Sequence, residues 1–364
     1  PPPPPPPPPS YPTPPPPRPP PRASRRQRQM CIRDREYPVP GDAGAVQRFN
    51  QAAEPGPAHK QVIKAVREMT LKISAGRRHD NLAAAREAFD TLGDGRDFQS
   101  EFIPVDAGGV PAEWVIAPGA DANHRVLYIH GGGFVVGSPK SHRIITNKFS
   151  EITGYAVLSI DYRLMPEHHH KDCVEDCRKA YRWILENGPD GPGEIRRLFI
   201  GGDSAGGNLT LSLTAWIRDN GYLAPGAVVA LSPLTDVTFS GASLRDNQDT
   251  DIMLKPFLKL LNKLPPFVKS WYVFWTYRLR PCNPIASPLL GDLSNLPPTL
   301  VQVSESEMLL DDARRYVYKA CASGSPAKLQ TWAGMLHIWQ IFDPQIPEAV
   351  EAWVDLEKFL EGSI

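Results

Sequence analysis

Short apolar segments alternate with helical periodicities along most of this 364-residue chain. Eight of these segments are predicted to be strands, at residues 98–105, 113–116, 125–130, 155–161, 198–200, 227–231, 300–304 and 328–332. Strands that are apolar on both faces and alternate with helices are typical of a mostly parallel sheet covered by helices on both sides. The alternation therefore predicts one α/β domain over residues 96–364.

The first 95 residues lack this alternation. Proline accounts for 17 of the first 21 residues, and residues 1–29 contain almost no apolar side chains. Because such a segment cannot bury enough surface to offset the entropy of ordering, residues 1–40 are predicted to be a disordered, proline- and arginine-rich tail. The tail is either passive or a PxxP ligand for a partner domain. Residues 41–95 carry apolar side chains at helical spacing and are predicted to be helical.

Charge and composition narrow the classes of partner. The chain has 40 Lys and Arg against 40 Asp and Glu, and this zero net charge excludes nucleic-acid binding through overall charge. No apolar stretch of about 18 residues is present, so no integral membrane segment is expected. The N-terminus has no apolar segment of a signal peptide, and the five cysteines are few and scattered. We therefore expect a cytoplasmic location.

A candidate nucleophile follows the predicted strand at residues 198–200. Residues 202–206 (GDSAG) fit the pattern G-x-S-x-G and precede an apolar helical run. A nucleophilic serine at a tight strand-to-helix turn needs strained backbone angles, and side chains two positions away on either side would clash. The helix N-terminus then supplies positive potential beside the serine. The pattern predicts Ser204 as the nucleophile.

A glycine loop before Ser204 is a candidate oxyanion hole. Residues 130–134 (HGGGF) follow another predicted strand. Acyl transfer builds negative charge on the carbonyl oxygen, and backbone N–H groups of a preformed loop can stabilise it. We expect the donors to be Gly132, Gly133 and Ala205, the residue after the nucleophile. His130 could be a catalytic base, but its position favours hydrogen bonding within the loop. The glycine spacing of phosphate-binding loops is absent, and we expect no cofactor.

These two motifs, with residues 159–167 (SIDYRLMPE), resemble the hormone-sensitive-lipase family of α/β-hydrolases, in its microbial carboxylesterase branch. The resemblance covers roughly residues 100–360. It implies an eight-stranded, mostly parallel sheet, a helical cap that includes residues 41–95, and serine-dependent hydrolysis of short- to medium-chain esters. It also implies a possible homodimer formed through the last edge of the sheet.

Two groups of possible metal ligands stand apart from these motifs. Residues 168–170 are three consecutive histidines, where the family commonly has aromatic residues and proline. Neighbouring side chains point in different directions, and no second group of ligands is evident, so a polar surface turn is favoured over a metal site. Cys173 and Cys177 lie four residues apart, and small buried residues are favoured over a metal or redox pair. We expect no metal.

The catalytic base and acid follow the serine in α/β-hydrolases. His337 is the one histidine after Ser204, and the resemblance implies that it is the catalytic base. The family pattern around the acid is acidic-x-Leu-x-Asp-acidic. Aligning its leucine and aspartate with Leu309 and Asp311 places Glu307 at the catalytic position, where Asp is commoner in the family. Asp311 and Glu305 remain alternatives, and Asp311 is suited to the first turn of the next helix.

Residues 236–280 interrupt the strand pattern and include the aromatic run at residues 271–277. This segment is either a second part of the cap that forms a pocket wall or a helix buried against the core. Together the motifs predict a serine carboxylesterase acting on a small-molecule ester. The alternatives are a non-catalytic small-molecule-binding homologue, like the receptors built on this fold, and an amidase or lactonase that uses the same three residues.

Overall fold

The computed structural model describes residues 37–41, 44–49, 56–78 and 82–363. The predicted tail, residues 1–40, lies outside the described residues except for its last four, which have no regular secondary structure. The described segments belong to one compact unit.

A nine-stranded sheet forms the centre of the fold, in the order β1-β11-β10-β9-β8-β4-β5-β3-β2. All neighbouring strands are parallel except for β3, which is antiparallel to β2 and β5. A separate hairpin consists of the two-residue strands β6 (Asn187–Gly188) and β7 (Gly191–Pro192). The strands of the main sheet are β1 (Val46–Phe49), β2 (Glu101–Asp106), β3 (Pro111–Ile116), β4 (Asp121–Ile129), β5 (Tyr155–Ile160), β8 (Arg197–Asp203), β9 (Ala227–Leu231), β10 (Thr299–Ser304) and β11 (Ala327–Trp332).

The mostly parallel sheet confirms the predicted fold class, but the sheet has one strand more than predicted. All eight expected strands are present, and the ninth is β1, in a segment that was predicted to be helical. It pairs in parallel with β11, and the Phe49 ring stacks on Trp332 with centroids 4.3 Å apart. Strand β11, expected at the outer edge and available to a second copy, is therefore an interior strand.

Helices cover both faces of the sheet. They are α1 (Pro57–Arg78), α2 (Leu82–Asp90), α3 (Arg143–Thr153), α4 (His170–Glu186), α5 (Ser204–Asp219), α6 (Ser243–Asp246), α7 (Lys255–Asn262), α8 (Pro266–Tyr277), α9 (Leu310–Ala322) and α10 (Pro347–Glu361). An apolar core lies on each face of the sheet, and alternate residues of β4 point into one or the other. Val126 and Tyr128 pack with α3 and α10, whereas Leu127 and Ile129 pack with α4 and α5. The strands are buried on both faces, as their continuous apolar sequences predict.

Helices α1, α2, α7 and α8 lie in the two segments predicted to be the cap and are called the cap helices here, and the aromatic run lies on α8. Helix α1 packs against α2 and α7, so the two cap segments, distant in sequence, meet in space. None of the helices in the described part of the chain is long and apolar enough to cross a bilayer.

The histidine run differs from its prediction as a surface turn. His168 and His169 are exposed, but His170 is fully buried, with its ring 4.9 Å from Tyr277 and 5.0 Å from Phe134. The prediction was wrong for His170 because α4 begins there and its first turn faces the core. Within the described ranges no cluster of His, Cys, Asp or Glu could hold a metal ion.

Candidate active site

Ser204 lies at the junction between β8 and α5, with a φ of 50°. This left-handed conformation is unfavourable for a residue with a side chain and is typical of a serine held at a sharp turn. A Cβ atom on Gly202 would lie 2.6 Å from the carbonyl oxygen of Ile129, and one on Gly206 would lie 2.0 Å from it. Both flanking glycines are therefore required by the close approach of β4.

His337 bridges Ser204 and Glu307. Ser204 Oγ lies 2.9 Å from His337 Nε2, and His337 Nδ1 lies 2.7 Å from Glu307 Oε2. Because a carboxylate only accepts hydrogen bonds, Nδ1 carries the proton donated to Glu307, and Nε2 can accept from the serine hydroxyl. The three residues follow β8, β10 and β11, whose carboxyl ends meet at this edge of the sheet.

The second oxygen of Glu307 is also held. Glu307 Oε1 accepts hydrogen bonds from the Ser232 hydroxyl at 2.7 Å and from the Ser304 backbone N–H at 2.8 Å. These two bonds orient the carboxylate so that Oε2 faces His337. Ser232 follows β9 and belongs to no motif, so its role was not predicted from the sequence.

The two alternative acids make other contacts. Glu305 accepts a hydrogen bond from the Thr331 hydroxyl at 2.9 Å. Asp311 accepts a hydrogen bond from the Ser243 backbone N–H at 2.9 Å. It lies in the first turn of α9, the position predicted for it from the sequence. Of the three predicted acids, Glu307 is the one whose carboxylate reaches the imidazole.

The environment of His337 shifts its pKa in two opposing directions. Burial of the ring lowers the pKa, but the adjacent Glu307 carboxylate raises it, by charge and by hydrogen bonding, and the net effect is a pKa above the ordinary value of 6.5. A second buried carboxylate, Asp251, adds to the increase. Asp251 Oδ2 accepts a hydrogen bond from the backbone N–H of Met308 at 2.9 Å, which ties the segment before α7 to the residue beside Glu307.

The glycine loop has the geometry expected of an oxyanion hole. Gly132 and Gly133 have φ values of 107° and 63°, and a Cβ on Gly132 would lie 2.1 Å from the carbonyl oxygen of Val136. Within the structure as described, no group accepts a hydrogen bond from the N–H of either glycine. Both line the same cavity as Ala205, whose N–H lies in the first turn of α5, where helical N–H groups lack intrahelical partners.

Asp203 connects this loop to the serine turn. Its Oδ1 accepts hydrogen bonds from the Gly131 N–H at 3.0 Å and the Tyr128 hydroxyl at 2.6 Å, and His142 Nε2 lies 3.5 Å away. Burial alone would raise the pKa of Asp203, but His142 and the hydrogen bond from Tyr128 lower it below the ordinary value. This role was not predicted from the sequence, although an acidic residue at the buried end of a strand is a recognisable signal.

His130 is brought to the loop rather than to the serine. Its Nδ1–H donates to the Gly131 carbonyl oxygen at 2.8 Å, and its ring stacks on Tyr162 with centroids 4.3 Å apart. Burial, followed by the nearby His142, lowers the pKa of His130 to about 3. The imidazole is therefore neutral, and its contacts agree with hydrogen bonding within the loop.

A cavity of about 620 Å³ opens beside Ser204 and His337. Most of its lining is apolar, and it comes from the sheet domain and from all four cap helices. The apolar side chains include Phe89, Phe134, Val136, Met165, Leu234, Phe239, Met253, Leu254, Phe257, Leu258, Leu261, Leu264, Val273, Leu309 and Ile338. Such a wall favours an uncharged ligand.

The aromatic run on α8 contributes to the cavity as well as to the core. Tyr272 and Thr276 line the cavity. Val273 and Tyr277 also reach the cavity but are buried against the core.

Arg86 of α2 forms hydrogen bonds that connect this helix to the segment after the glycine loop. Its Nε donates to the Val135 carbonyl oxygen at 2.9 Å, and its Nη2 donates to the Met165 carbonyl oxygen at 3.2 Å. The same guanidinium forms an ion pair with Glu167 at 2.8 Å. One turn further along α2, Phe89 is thereby positioned on the cavity.

The fold and the arrangement around Ser204 define an α/β-hydrolase. Residues 126–341 match the sequence family described as alpha/beta hydrolase fold. An acetyl-hydrolase from Streptomyces hygroscopicus is 36% identical over 273 residues, which are 74% of this chain and 83% of the relative. The carboxylesterase/phospholipase LipF from Mycobacterium tuberculosis is 35% identical over 263 residues, 71% of this chain and 68% of LipF.

Solved structures agree with these relatives. An esterase from the bacterial hormone-sensitive lipase family is 36% identical, with a TM-score of 0.71 over 86% of this chain and 100% of its own. The esterase EstE5, soaked with p-nitrophenyl butyrate, is 31% identical, with a TM-score of 0.71 over 85% of this chain and 99% of its own. The chain belongs to the hormone-sensitive-lipase family of α/β-hydrolases, and it is a carboxylic ester hydrolase. The resemblance predicted from the motifs is confirmed.

Proposed function

We propose that this enzyme is a serine carboxylesterase that hydrolyses short- to medium-chain acyl esters through Ser204, His337 and Glu307. The observation that carries the proposal is the continuous hydrogen-bonded chain from Ser204 Oγ to His337, at 2.9 Å, and on to Glu307, at 2.7 Å. This chain is the arrangement that activates a serine for attack on an acyl carbon.

In the first half of the reaction, Ser204 Oγ attacks the ester carbonyl carbon while its proton passes to His337 Nε2. The imidazolium that forms is stabilised by Glu307, which remains ionised. His337 then donates this proton to the leaving alkoxide, the bond between the acyl carbon and the alcohol oxygen breaks, and the alcohol departs. The acyl group stays bound to Ser204.

In the second half, water takes the place of the alcohol. His337 Nε2 accepts a proton from water as the water oxygen attacks the acyl carbon, and it returns that proton to Ser204 Oγ as the acid leaves. In both halves the carbonyl oxygen becomes negatively charged. The N–H groups of Gly132, Gly133 and Ala205 stabilise this charge.

The cavity supports the substrate class. Its apolar walls can accept an acyl chain but supply no charged group for an ionic substrate. A volume of about 620 Å³ accommodates a small to medium ester and lies in the usual range of small-molecule sites. The relatives named acetyl-hydrolase and carboxylesterase also support acyl esters as substrates.

The test is hydrolysis of p-nitrophenyl acetate, butyrate, octanoate and palmitate by purified wild type and Ser204→Ala. We expect kcat/KM to be greatest for butyrate or octanoate, and Ser204→Ala to lower kcat by about 10³-fold or more. Ser323→Ala, at the C-terminal end of α9, is the matched serine control and should retain full activity. A Ser204→Ala variant that is folded and fully active would contradict the proposal.

Turnover by the wild type and a comparison of esters with anilides and lactones separate the alternative functions. A small-molecule-binding homologue would bind ligands without turnover, whereas an amidase or lactonase would prefer anilides or lactones to the esters. Two further expectations from the sequence, a homodimer and a cytoplasmic location, stay predictions.

A further inference from the structure

Helix α8 presents an aromatic surface to solvent. Outside α8 and the neighbouring α7, the exposed large apolar side chains in the described residues are aliphatic, and of these only Val350 and Val354 lie on the same helix: Val39, Leu71, Ile103, Leu223, Val350 and Val354. By contrast, five aromatic side chains that are 45% to 74% exposed all lie on this one helix: Phe267, Trp271, Tyr272, Phe274 and Trp275. Single exposed apolar residues are ordinary, but a cluster of this kind marks an interaction surface.

Four of these residues share one face of α8. Phe267, Trp271, Phe274 and Trp275 are separated by the intervals of four, seven and eight residues that define one helical face. Three of the rings are also in contact: the centroids of Trp271 and Trp275 are 5.9 Å apart, and those of Phe274 and Trp275 are 6.5 Å apart. We call this face, with Tyr272 and the adjacent Leu260 of α7, the aromatic patch.

The segment that carries the aromatic patch is strongly basic. Residues 252–280 contain six Lys and Arg and no Asp or Glu, although the whole chain is neutral. Lys259, Lys263, Arg278 and Arg280 are exposed, and the Arg278 guanidinium lies 4.9 Å from the centroid of the Trp275 ring. Of the other two, Lys269 is partly buried and Lys255 forms an ion pair with Asp249. The remaining charges produce a positive potential around the aromatic patch.

The aromatic patch also borders the entrance to the cavity. Leu260 and Tyr272 are both exposed and both line the cavity that contains Ser204. A surface that covers the aromatic patch would therefore lie against the opening through which a ligand reaches the serine.

We propose that the aromatic patch binds the surface of an anionic lipid layer. Tryptophan and tyrosine are favoured where an apolar phase meets water, because each has an apolar body and a polar group. Basic side chains beside an apolar helical face bind anionic headgroups, and the two effects act together in helices that lie in the interface. The aromatic rings would enter the headgroup region, and Lys259, Lys263, Arg278 and Arg280 would contact lipid phosphates.

Charge argues against the two other candidate occupants. A second copy docked patch to patch would bring two basic segments together. The N-terminal tail has the same sign, since residues 1–35 contain seven Arg and one Asp. An anionic surface is the partner that complements both the rings and the charges.

The test is flotation of the full-length chain with vesicles of phosphatidylcholine alone and with about 30% phosphatidylglycerol. We expect binding to the anionic vesicles to be at least about tenfold tighter and to weaken at about 0.5 M salt. The double variant Trp271→Ala/Trp275→Ala should lose about tenfold or more of this affinity. Val350→Ala/Val354→Ala, an exposed apolar pair with the same spacing on α10, is the matched control and should bind like wild type.

A second double variant tests the contribution of the basic side chains. Its activity and thermal stability show whether a loss of binding comes from misfolding. Lys259→Glu/Lys263→Glu should abolish the preference for anionic vesicles while it retains hydrolysis of a water-soluble ester. Neither lysine lines the cavity, and neither does either tryptophan. The thermal midpoints of both double variants should stay close to that of wild type. Fluorescence of the wild type should be quenched by brominated lipid, and the tryptophan variant should lose this quenching.

Three outcomes would overturn the proposal. The first is the absence of binding to either kind of vesicle. The second is unchanged binding by the tryptophan variant, which would indicate a contact elsewhere, for example through the arginines of the tail. The third is a wild-type dimer that the tryptophan variant dissociates and that binds no vesicles. The proposal does not depend on catalysis, so Ser204→Ala should bind like wild type, and the two proposals can fail separately.

Discussion

Asp203 Oδ1 accepts a hydrogen bond from the backbone N–H of Gly131 at 3.0 Å, which joins the turn that carries Ser204 to the glycine loop. The same oxygen accepts from the Tyr128 hydroxyl at 2.6 Å, and all three partners are buried. A Cβ atom on Gly131 would lie 2.0 Å from the other carboxylate oxygen, so the loop and the carboxylate are packed in contact. This contact holds the glycine loop against the turn that carries Ser204.

We predict that Asp203→Ala lowers kcat by about tenfold to 10³-fold, because the loop donors move relative to Ser204. It should also lower the free energy of unfolding by about 2–4 kcal/mol, since two buried donors lose their acceptor. Asp203→Asn keeps one acceptor oxygen and should recover most of both losses. Steady-state kinetics and urea unfolding measure the effects. Normal kcat in Asp203→Ala would show that the loop keeps its position without the carboxylate.

The choice among the three acidic residues can be tested directly. We predict that Glu307→Gln lowers kcat by about 10²-fold or more, because the imidazolium formed during the reaction loses its counter-charge. Glu305→Gln and Asp311→Asn are matched controls and should each change kcat by less than about threefold. Kinetics on p-nitrophenyl butyrate would decide. A larger loss in either control than in Glu307→Gln would assign the acid role to that residue.

The pH dependence of kcat/KM should report the raised pKa of His337. The reaction needs the neutral imidazole, so activity is lost as the pH falls through this pKa, and we expect the acidic limb of the profile above pH 6.5. Since Glu307 raises the pKa, the residual activity of Glu307→Gln should have its acidic limb at a lower pH. Asp251→Asn should move the limb in the same direction while it retains more activity, because Asp251 contributes less to the increase.

These pH profiles have a clear negative outcome. If the acidic limb of the kcat/KM profile lies at the same pH in Glu307→Gln and in wild type, the group that titrates is not His337 with its pKa raised by Glu307.

Buried His170 should make the protein less stable in acid. Burial lowers its pKa to about 4, whereas the unfolded chain has the ordinary value of 6.5. Stability from the neutral imidazole is therefore complete above pH 6.5 and is lost as the pH falls toward 4, by about 1.4 kcal/mol per pH unit. We predict that His170→Phe reduces the difference in unfolding free energy between pH 7 and pH 5. Urea unfolding at the two values measures it.

His124→Phe is the control for this measurement, because His124 is partly exposed and lies near Asp121 instead of in the core. It should leave most of the acid sensitivity in place. Equal sensitivity in wild type and His170→Phe would mean that His170 does not stay neutral in the folded protein.

Local sequence determined most of the sheet and most of the candidate site. The eight predicted strands are all present because a strand buried on both faces needs a continuous apolar run. Ser204 and the two glycine motifs were recognisable because the steric demands of a sharp turn act on neighbouring residues, such as Gly202 and Gly206. His337 was recognisable from its order in the chain and its position after the last strand.

Tertiary structure decided the features that depend on contacts between distant segments. Strand β1 has only four residues, two of them polar, and becomes a strand because β11 supplies its hydrogen bonds from 283 residues away. Glu307, and not Glu305 or Asp311, reaches His337 because of the direction that each side chain takes in the folded turn. The roles of Asp203, Ser232 and Asp251 likewise arise from buried contacts across separate strands and loops. Local steric rules can be read from adjacent residues, whereas the partner of a buried polar group is known only once packing has brought distant segments together.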